Sequence, residues 1–456
     1  MKRTVFTWAL VSGAVAWGAL ACTQTSSSDD PDAGVGGVGA QGGTGGQAGA
    51  AGSAGAAGSG GAAGSGGAAG SAGAAGSAGA AGSGGAAGSG GAAGSAGAAG
   101  TAGTGGGAAA SWTVRSHTCP GINRTDALLD DTGGGLYIGC GTGAVGTGLY
   151  HSQDLGQTWE KVVATGVSTL DTFRVNSIER GPDGALYVAG TEVGAGSETV
   201  LRVDTSGAEP VTSAILTTVN QVGRQFIVGN FRQLSSGAGL AESLNGTDAL
   251  FRADSSVPAS AASWTTADPA VTGGVPTQIL DLTVHGDKFY AAGGTISDPP
   301  YVFVPKASPT SPYDLLAIQL PRAAGGTGEM EGIAVTDSLV VVVGANHTHH
   351  TGRIYVSGPA PTQTSDFAEH DLSVLYGNPD QYTWARGVCA RGSRIVVVGE
   401  RQPLGSNSGL VFESTDGGQS FTNITPEGVS ATVSKCTLRD DGTLIVAGAS
   451  QIGVYR

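Results

Sequence analysis

The chain has 456 residues, 36 acidic against 22 basic side chains, and a net charge of −14. An acidic surface repels phosphate backbones, which argues against nucleic acid as a partner. With 82 glycines the chain cannot be globular throughout, and it divides by composition into residues 1–21, 22–110 and 111–456.

Residues 1–21 open with Lys2 and Arg3 and continue as an apolar stretch from Val5 to Ala21. This is the layout of an export signal. The stretch is marginal in length for a membrane span and is followed by no basic stop-transfer flank. It ends Gly18-Ala-Leu-Ala-Cys22, and small residues before a cysteine resemble the lipobox of bacterial lipoproteins. The resemblance implies cleavage of a signal peptide before Cys22 and acylation of that cysteine. The protein is then lipid-anchored at the outer membrane or cell surface, with the bilayer as one partner. Ala19 stands where that family more usually has Leu. A plain secretory signal is the alternative reading.

Residues 22–110 form a Gly/Ala/Ser-rich tether. From Gly43 to Gly106 every third residue is glycine. Such a segment has almost no side chain to bury and cannot offset its ordering entropy, so a disordered linker is expected. Collagen would need abundant proline at the intervening positions, and this stretch has none.

Residues 111–456 carry a repeat of about fifty residues. Its clearest copies are Gly133-Gly-Gly-Leu-Tyr-Ile-Gly139, Asp183-Gly-Ala-Leu-Tyr-Val-Ala189, Asp287-Lys-Phe-Tyr-Ala-Ala292, Asp337-Ser-Leu-Val-Val-Val-Val343, Arg391-Gly-Ser-Arg-Ile-Val-Val-Val398 and Asp441-Gly-Thr-Leu-Ile-Val-Ala447. Gly223-Arg-Gln-Phe-Ile-Val-Gly229 is a weaker seventh. Each reads as a turn and then a short strand. A further short strand precedes each turn in the six clear copies, from Thr125–Leu129 to Val433–Leu438. Two more strands follow, clearest in the first copy and the one before last. Four-stranded propeller blades have this size. The fold expected is all-β: a single β-propeller, with seven blades the favoured count. The chain ends in a third strand, Gly453-Val-Tyr-Arg456, and the domain begins with an unpaired one, Ser111-Trp-Thr-Val-Arg115. The N-terminal strand is therefore expected to close the ring.

Two turns share a second pattern. One reads Ser152-Gln-Asp154-Leu-Gly156-Gln-Thr158-Trp159, the other Ser414-Thr-Asp416-Gly-Gly418-Gln-Ser420-Phe421. The Asp can accept turn amides, Gly supplies positive φ, and the aromatic ring packs between sheets. Both turns resemble the Asp-box, or BNR repeat, of sialidase-like and photosystem II assembly factor-like propellers. Degenerate remnants stand at Arg202-Val-Asp204 and Arg252-Ala-Asp254. In known Asp-box propellers this turn lies away from the substrate face, so it speaks for fold more than chemistry.

Besides Cys22 there are four cysteines: Cys119, Cys140, Cys389 and Cys436. An exported chain favours disulfides, with three connectivities open. The favoured one is Cys119–Cys140 with Cys389–Cys436, and buried free thiols are the alternative.

Propellers usually meet ligands on the face made by loops entering the innermost strand and leaving the second. Those positions include Arg124, Asp126, Arg174, Asn176, Glu329, Glu331, Tyr382, Trp384 and Arg386. A Tyr, a Trp and an Arg leading into one inner strand suit recognition of a peptide or sugar. Asn346-His-Thr-His-His350 lacks an adjoining carboxylate or cysteine and reads as a solvated loop, so no metal and no other cofactor is expected. The Asp-box resemblance also raises glycoside hydrolysis. Sialidases need an arginine triad, a Tyr–Glu pair and an Arg-Ile-Pro segment. This chain has no Arg-Ile-Pro, and no catalytic residue carries over. The favoured reading is a monomeric, non-catalytic module that binds a protein or glycan of the cell envelope. The alternative is a sialidase-like or other glycoside hydrolase, for which Glu329, Glu331 and Asp126 are the acids of interest.

Overall fold

Each repeat becomes a sheet because its second strand is apolar along its whole length. Val340–Asn346 and Leu444–Gly448 are buried at every position. Such strands are buried on both faces, unlike the alternating strands of a half-solvated sheet. The computed structural model describes residues 110–117, 119, 125, 127–131, 135–142, 145–166, 170–192, 198–217, 228–243, 250–253, 264–266, 278–295, 299–321, 326–379, 382–402, 408–429 and 432–456. Residues 1–109, Cys22 among them, and Arg124 and Asp126 lie outside the described residues.

The described residues form seven sheets, six antiparallel of four strands and one of five. This is a seven-bladed β-propeller. The innermost strands of blades 1 to 7 are Ala127–Asp130, Phe173–Arg180, Val228–Gln233, Ile279–His285, Gly328–Val335, Thr383–Arg391 and Val433–Leu438. The extra strand of blade 2 is Thr165–Gly166, which pairs parallel to the outer strand Val211–Thr217. Blade 7 takes its outer strand from the start of the domain. Trp112–Ser116 pairs antiparallel with Gln451–Tyr455, Trp112 opposite Tyr455. Trp112 also donates Nε1–H to the Ile424 carbonyl at 2.8 Å. The ring therefore closes with no blade left short of its outer strand.

The core is seven apolar clusters, one between each pair of neighbouring blades. Tyr187 of blade 2 meets Phe231 and Trp264 of blade 3. Ile445 and Ile452 of blade 7 meet Leu136 and Ile138 of blade 1. Disulfides add two covalent links, Cys119 to Cys140 and Cys389 to Cys436, with Cα–Cα separations of 5.5 and 5.7 Å. The second ties the inner strands of blades 6 and 7.

Blade 3 departs from the sequence reading. The weak motif ending at Gly229 was expected to be a second strand. Val228–Gln233 is instead the innermost strand, and Gly239–Ser243 is the second. That second strand reads Gly-Leu-Ala-Glu-Ser and carries a buried Glu242, so it lacks the β-branched run of its counterparts. The outermost strands are also shorter than expected: Glu160–Lys161 in blade 1 and Thr422–Asn423 in blade 6.

One device recurs on the inner strands. In blades 2, 4, 5, 6 and 7 the pairing with the second strand slips by one residue, at Asn176, Leu280, Glu331, Arg386 and Ser434. Blade 3 slips at Gly229 and Asn230. Each slip is a β-bulge, which leaves a residue unpaired and re-aims its side chain. In the five blades with a one-residue slip, the second strand carries glycine opposite the bulge: Gly190, Gly293, Gly344, Gly399 and Gly448. A Cβ on any of them would lie 1.8–2.2 Å from a carbonyl oxygen of the inner strand or of the residue leading into it. The glycine after the Val/Ala run of the repeat is thus the seat of the bulge.

Gly399→Ala should cost about 2–4 kcal/mol, because its Cβ would lie 2.0 Å from the Trp384 carbonyl oxygen. Gly358→Ala, where a Cβ meets nothing within 4 Å, should stay within about 0.5 kcal/mol. Denaturant unfolding of both variants checks this, and equal losses would show that the close approach is not the cause.

Candidate ligand site on the propeller axis

The two faces of the ring differ. Antiparallel strands place the ends of inner strands, the starts of second strands and the ends of third strands on one face. The turns on this face are laced from blade to blade. Arg180 grips Asp131 at 2.7 and 2.8 Å, and Arg439 grips Asp130 at 2.5–3.1 Å. Asp287 accepts from Ser235 N at 2.7 Å, and His285 meets Asp337 at 2.9 Å. Thr336 Oγ1 donates to the Gly392 carbonyl at 3.2 Å, and Arg394 Nη1 to that of Gly442 at 2.5 Å.

Both Asp-containing turns belong to this laced face and share one hydrogen-bond pattern. Ser152 Oγ donates to Asp154 Oδ1 at 2.8 Å and accepts from Gly156 N at 2.8 Å. Asp154 also accepts from Thr158 N at 2.8 Å and Thr158 Oγ1 at 2.7 Å. Ser414, Asp416, Gly418 and Ser420 repeat these contacts at 2.5–3.0 Å. The Thr158 bonds hold Asp154 down to about 2, and those of Ser420 hold Asp416 well below the carboxylate range. Gly156 and Gly418 have φ of +80° and +88°. Trp159 packs between blades 7 and 1, Phe421 between blades 5 and 6. The Ser, Asp and Thr side chains of the pattern are engaged within their own blade, and the two aromatic rings pack in the adjoining interfaces.

The opposite face is open on the axis. A cavity of about 270 Å³ is lined there by the bulge residues Asn176, Asn230, Leu280, Glu331, Arg386 and Ser434, with Arg174, Gln278, Glu329 and Lys435 beside them. The bulges are why these side chains converge.

Arg386 organises one wall. Its Nη1 donates to Glu331 at 2.7 and 3.0 Å, and its Nε and Nη2 to Glu400 Oε1 at 3.0 and 2.5 Å. The second oxygen of Glu400 accepts from Thr432. The guanidinium lies over the Trp384 ring, 3.8 Å from its centroid. Trp384 meets His347 edge-on at 5.1 Å and Tyr382 at 6.2 Å, and Tyr382 stacks on His350 at 5.0 Å. His347 Nε2 lies 3.2 Å from Glu329. The indole Nε1 of Trp384 is buried and has no hydrogen-bond partner among the described residues. His350 holds a positive φ of 55°, a strained conformation for a non-glycine residue. Asn346 Oδ1 caps this loop by accepting from Thr348 N and His349 N at 2.9 and 3.2 Å.

Most positions expected on a ligand face therefore meet here. Arg174, Asn176, Glu329, Glu331 and Arg386 line the cavity, and Tyr382 and Trp384 adjoin it. Arg124 and Asp126 lie outside the described residues. Sequence reasoning missed Asn230, Gln278, Ser434 and Lys435; for the last three the signal is the glycine that seats the bulge on the neighbouring strand, and blade 3 offers Asn230 no such glycine. It also missed two acids, the buried Glu242 of blade 3 and the partly buried Glu179 of blade 2. Glu242 is fully buried and accepts from Asn230 Nδ2 at 2.9 Å. Burial pushes its carboxyl up to about 8, with Asp281 adding and Asn230, Lys435 and Arg232 opposing. Burial pushes Glu179 up to about 7 against Arg232 and the Gln233 N–H.

No protein-family model matches the chain, and no curated protein matches it. Among solved structures it is similar to a streptogramin B lyase, at 13% identity over 76% of this chain and 97% of that one, with a TM-score of 0.48. It is similar to YCF48 bound to D1 peptide at 14% identity over 75% and 96%, TM-score 0.48. A third is the Dos1 propeller, at 8% identity over 75% and 94%, TM-score 0.45. At such identities none of these assigns an activity.

The buried acids make stability depend on pH. Glu242 and Glu179 keep their protons when folded over a range where the unfolded chain, titrating near 4.5, has released them. Their contribution is fully present below that value and is lost as pH rises through 7 to 8. Unfolding free energy should therefore fall between about pH 5 and 8. Glu242→Gln should flatten that slope by about 1–3 kcal/mol. Denaturant titrations across this range check it, and an unchanged slope in the variant would refute the assignment.

Proposed function

We propose that the chain is an extracytoplasmic propeller, lipid-anchored through Cys22, that binds a protein or glycan of the cell envelope on its open axial face. The observation that carries this reading is the Tyr382–Trp384–Arg386 wall beside a polar axial cavity. An aromatic pair and an arginine held rigid by two carboxylates form a pre-organised contact surface, of the kind that loses little side-chain entropy on binding. The short helix Leu372–Leu375 stands in the segment leading to this wall and exposes Val374 at 61%, an apolar contact on the same side. The lipobox-like Gly18–Cys22 and the tether support the anchored part of the proposal, since a flexible tether raises the effective concentration of a domain near its surface. The shared hydrogen-bond pattern of the Ser152–Trp159 and Ser414–Phe421 turns supports the Asp-box resemblance.

The hydrolase alternative draws on Glu329 and Glu331 lining the same cavity. Against it stands the engagement of Glu331 by Arg386. Turnover of aryl glycosides that is lost in Glu331→Gln, with the fold intact, would favour the enzyme.

Two experiments test the proposal. Cys22→Ser should shift the protein from the membrane to the soluble fraction, and unchanged partitioning would count against the anchor. Trp384→Ala and Tyr382→Ala should each weaken capture of the envelope partner by about tenfold or more. Capture at wild-type strength by both variants would remove the axial wall from the interface.

A further inference from the structure

The propeller contains four lysines, Lys161, Lys288, Lys306 and Lys435. Lys161 pairs with Asp171 at 3.2 Å, and Lys288 and Lys306 are exposed. Lys435 alone stands on an inner strand, directly after the bulge residue Ser434, and lines the axial cavity. Among the described residues no carboxylate lies within ion-pair distance of it. The acids nearby face other groups. Glu331 and Glu400 are taken by Arg386, Glu329 faces His347, and Asp281 accepts the Ile333 N–H at 2.9 Å. Glu242, which does act on Lys435, is pushed up to about 8 by its burial, which favours its neutral form. A half-buried ammonium without a counter-charge is costly, and a bound anion removes that cost. A second cation, Arg174, lines the same cavity. The volume of about 270 Å³ lies just below the range of drug-sized pockets and admits one short acyl chain.

Resting on the reading that the axial face is the ligand face, we infer that the cavity binds a compact carboxylate whose oxygens meet the Lys435 ammonium. The carboxylate belongs either to a small free acid or to a Glu or Asp side chain inserted from a protein partner. Both have the same chemistry at the lysine.

The test uses the full chain. Acetate, glutarate and a capped Gly-Glu-Gly peptide are titrated, with propionamide and propylammonium as neutral and cationic controls. Binding is followed by calorimetry and by the rise in Tm with ligand concentration. One or both acidic probes should bind, the controls should not, and Lys435→Met should lose at least about tenfold in affinity. Lys435→Arg should retain most of it, which separates lost charge from lost fold. Preference for the free acids over the peptide assigns a small ligand, and the reverse assigns an acidic side chain. Equal binding of propionamide, unchanged affinity in Lys435→Met, or no binding of any acidic probe at tens of millimolar would overturn the inference. Partner capture that depends on Trp384 but not on Lys435 would also overturn it while leaving the axial interface standing. Carboxylate binding with capture indifferent to Trp384 would do the reverse.

Discussion

The inner-strand bulge, seated against a residue with no side chain, is the constraint on which the rest of this propeller depends. A regular ladder would alternate its side chains between the two adjoining blades and leave the axis to backbone. The slip at Asn176, Leu280, Glu331, Arg386 and Ser434 breaks that alternation at one level of the ring. In four of these five blades, Leu280 being the exception, a polar or charged side chain is turned toward the axis at a common height. The bulge brings an inner-strand carbonyl against the second strand, and only glycine leaves room there. A functional wall and a repeated sequence signature thus have one steric origin.

The division of labour between the faces follows. Aspartates and arginines at the first hairpin turns lace the blades together on one side, and the Asp154 and Asp416 turns are saturated by their own serine and threonine partners. That side is structurally committed. On the other side the network around Arg386 also stabilises, but it presents the Trp384 ring beside the axial cavity. The Cys389–Cys436 link ties the inner strands of blades 6 and 7 only a few residues beyond Arg386 and Ser434. It limits how far these two strands can separate beneath the site, whatever the upper loops do.

Much of this architecture was legible because propeller contacts are copied. Turn, apolar strand and glycine recur often enough that the period can be read even where single copies decay, and Trp112 and Tyr455 announce closure by being incomplete apart. Blade 3 was misread for the same reason. Its second strand replaces the Val/Ala run with Ala241, Glu242 and Ser243, so the apolar segment ahead of it was mistaken for the motif. The Tyr382–Trp384–Arg386 wall was legible since all three stand within five residues, at the entry to one strand. Lys435 and Asn230 were not, because their relevance comes from a slip in pairing and from neighbours some fifty residues or more away, which no local pattern encodes.

Arg386 shows why residue types alone could not decide between a binding site and a catalyst. Arginine beside two glutamates in a central cavity fits a catalytic list. Here both carboxylates converge on the one guanidinium, one of them with side-chain exposure of only 2%, and the cation is stacked on an indole besides. Its hydrogen-bonding capacity is consumed in holding the wall rigid, and a planar fork held this way orients its neighbours better than it could grip a substrate. Lys435 is the opposite case, a single cation whose surroundings leave its charge unanswered. The chemistry open to the axial cavity is therefore set less by its most conspicuous residue than by Lys435, which lines it with no carboxylate in ion-pair distance among the described residues.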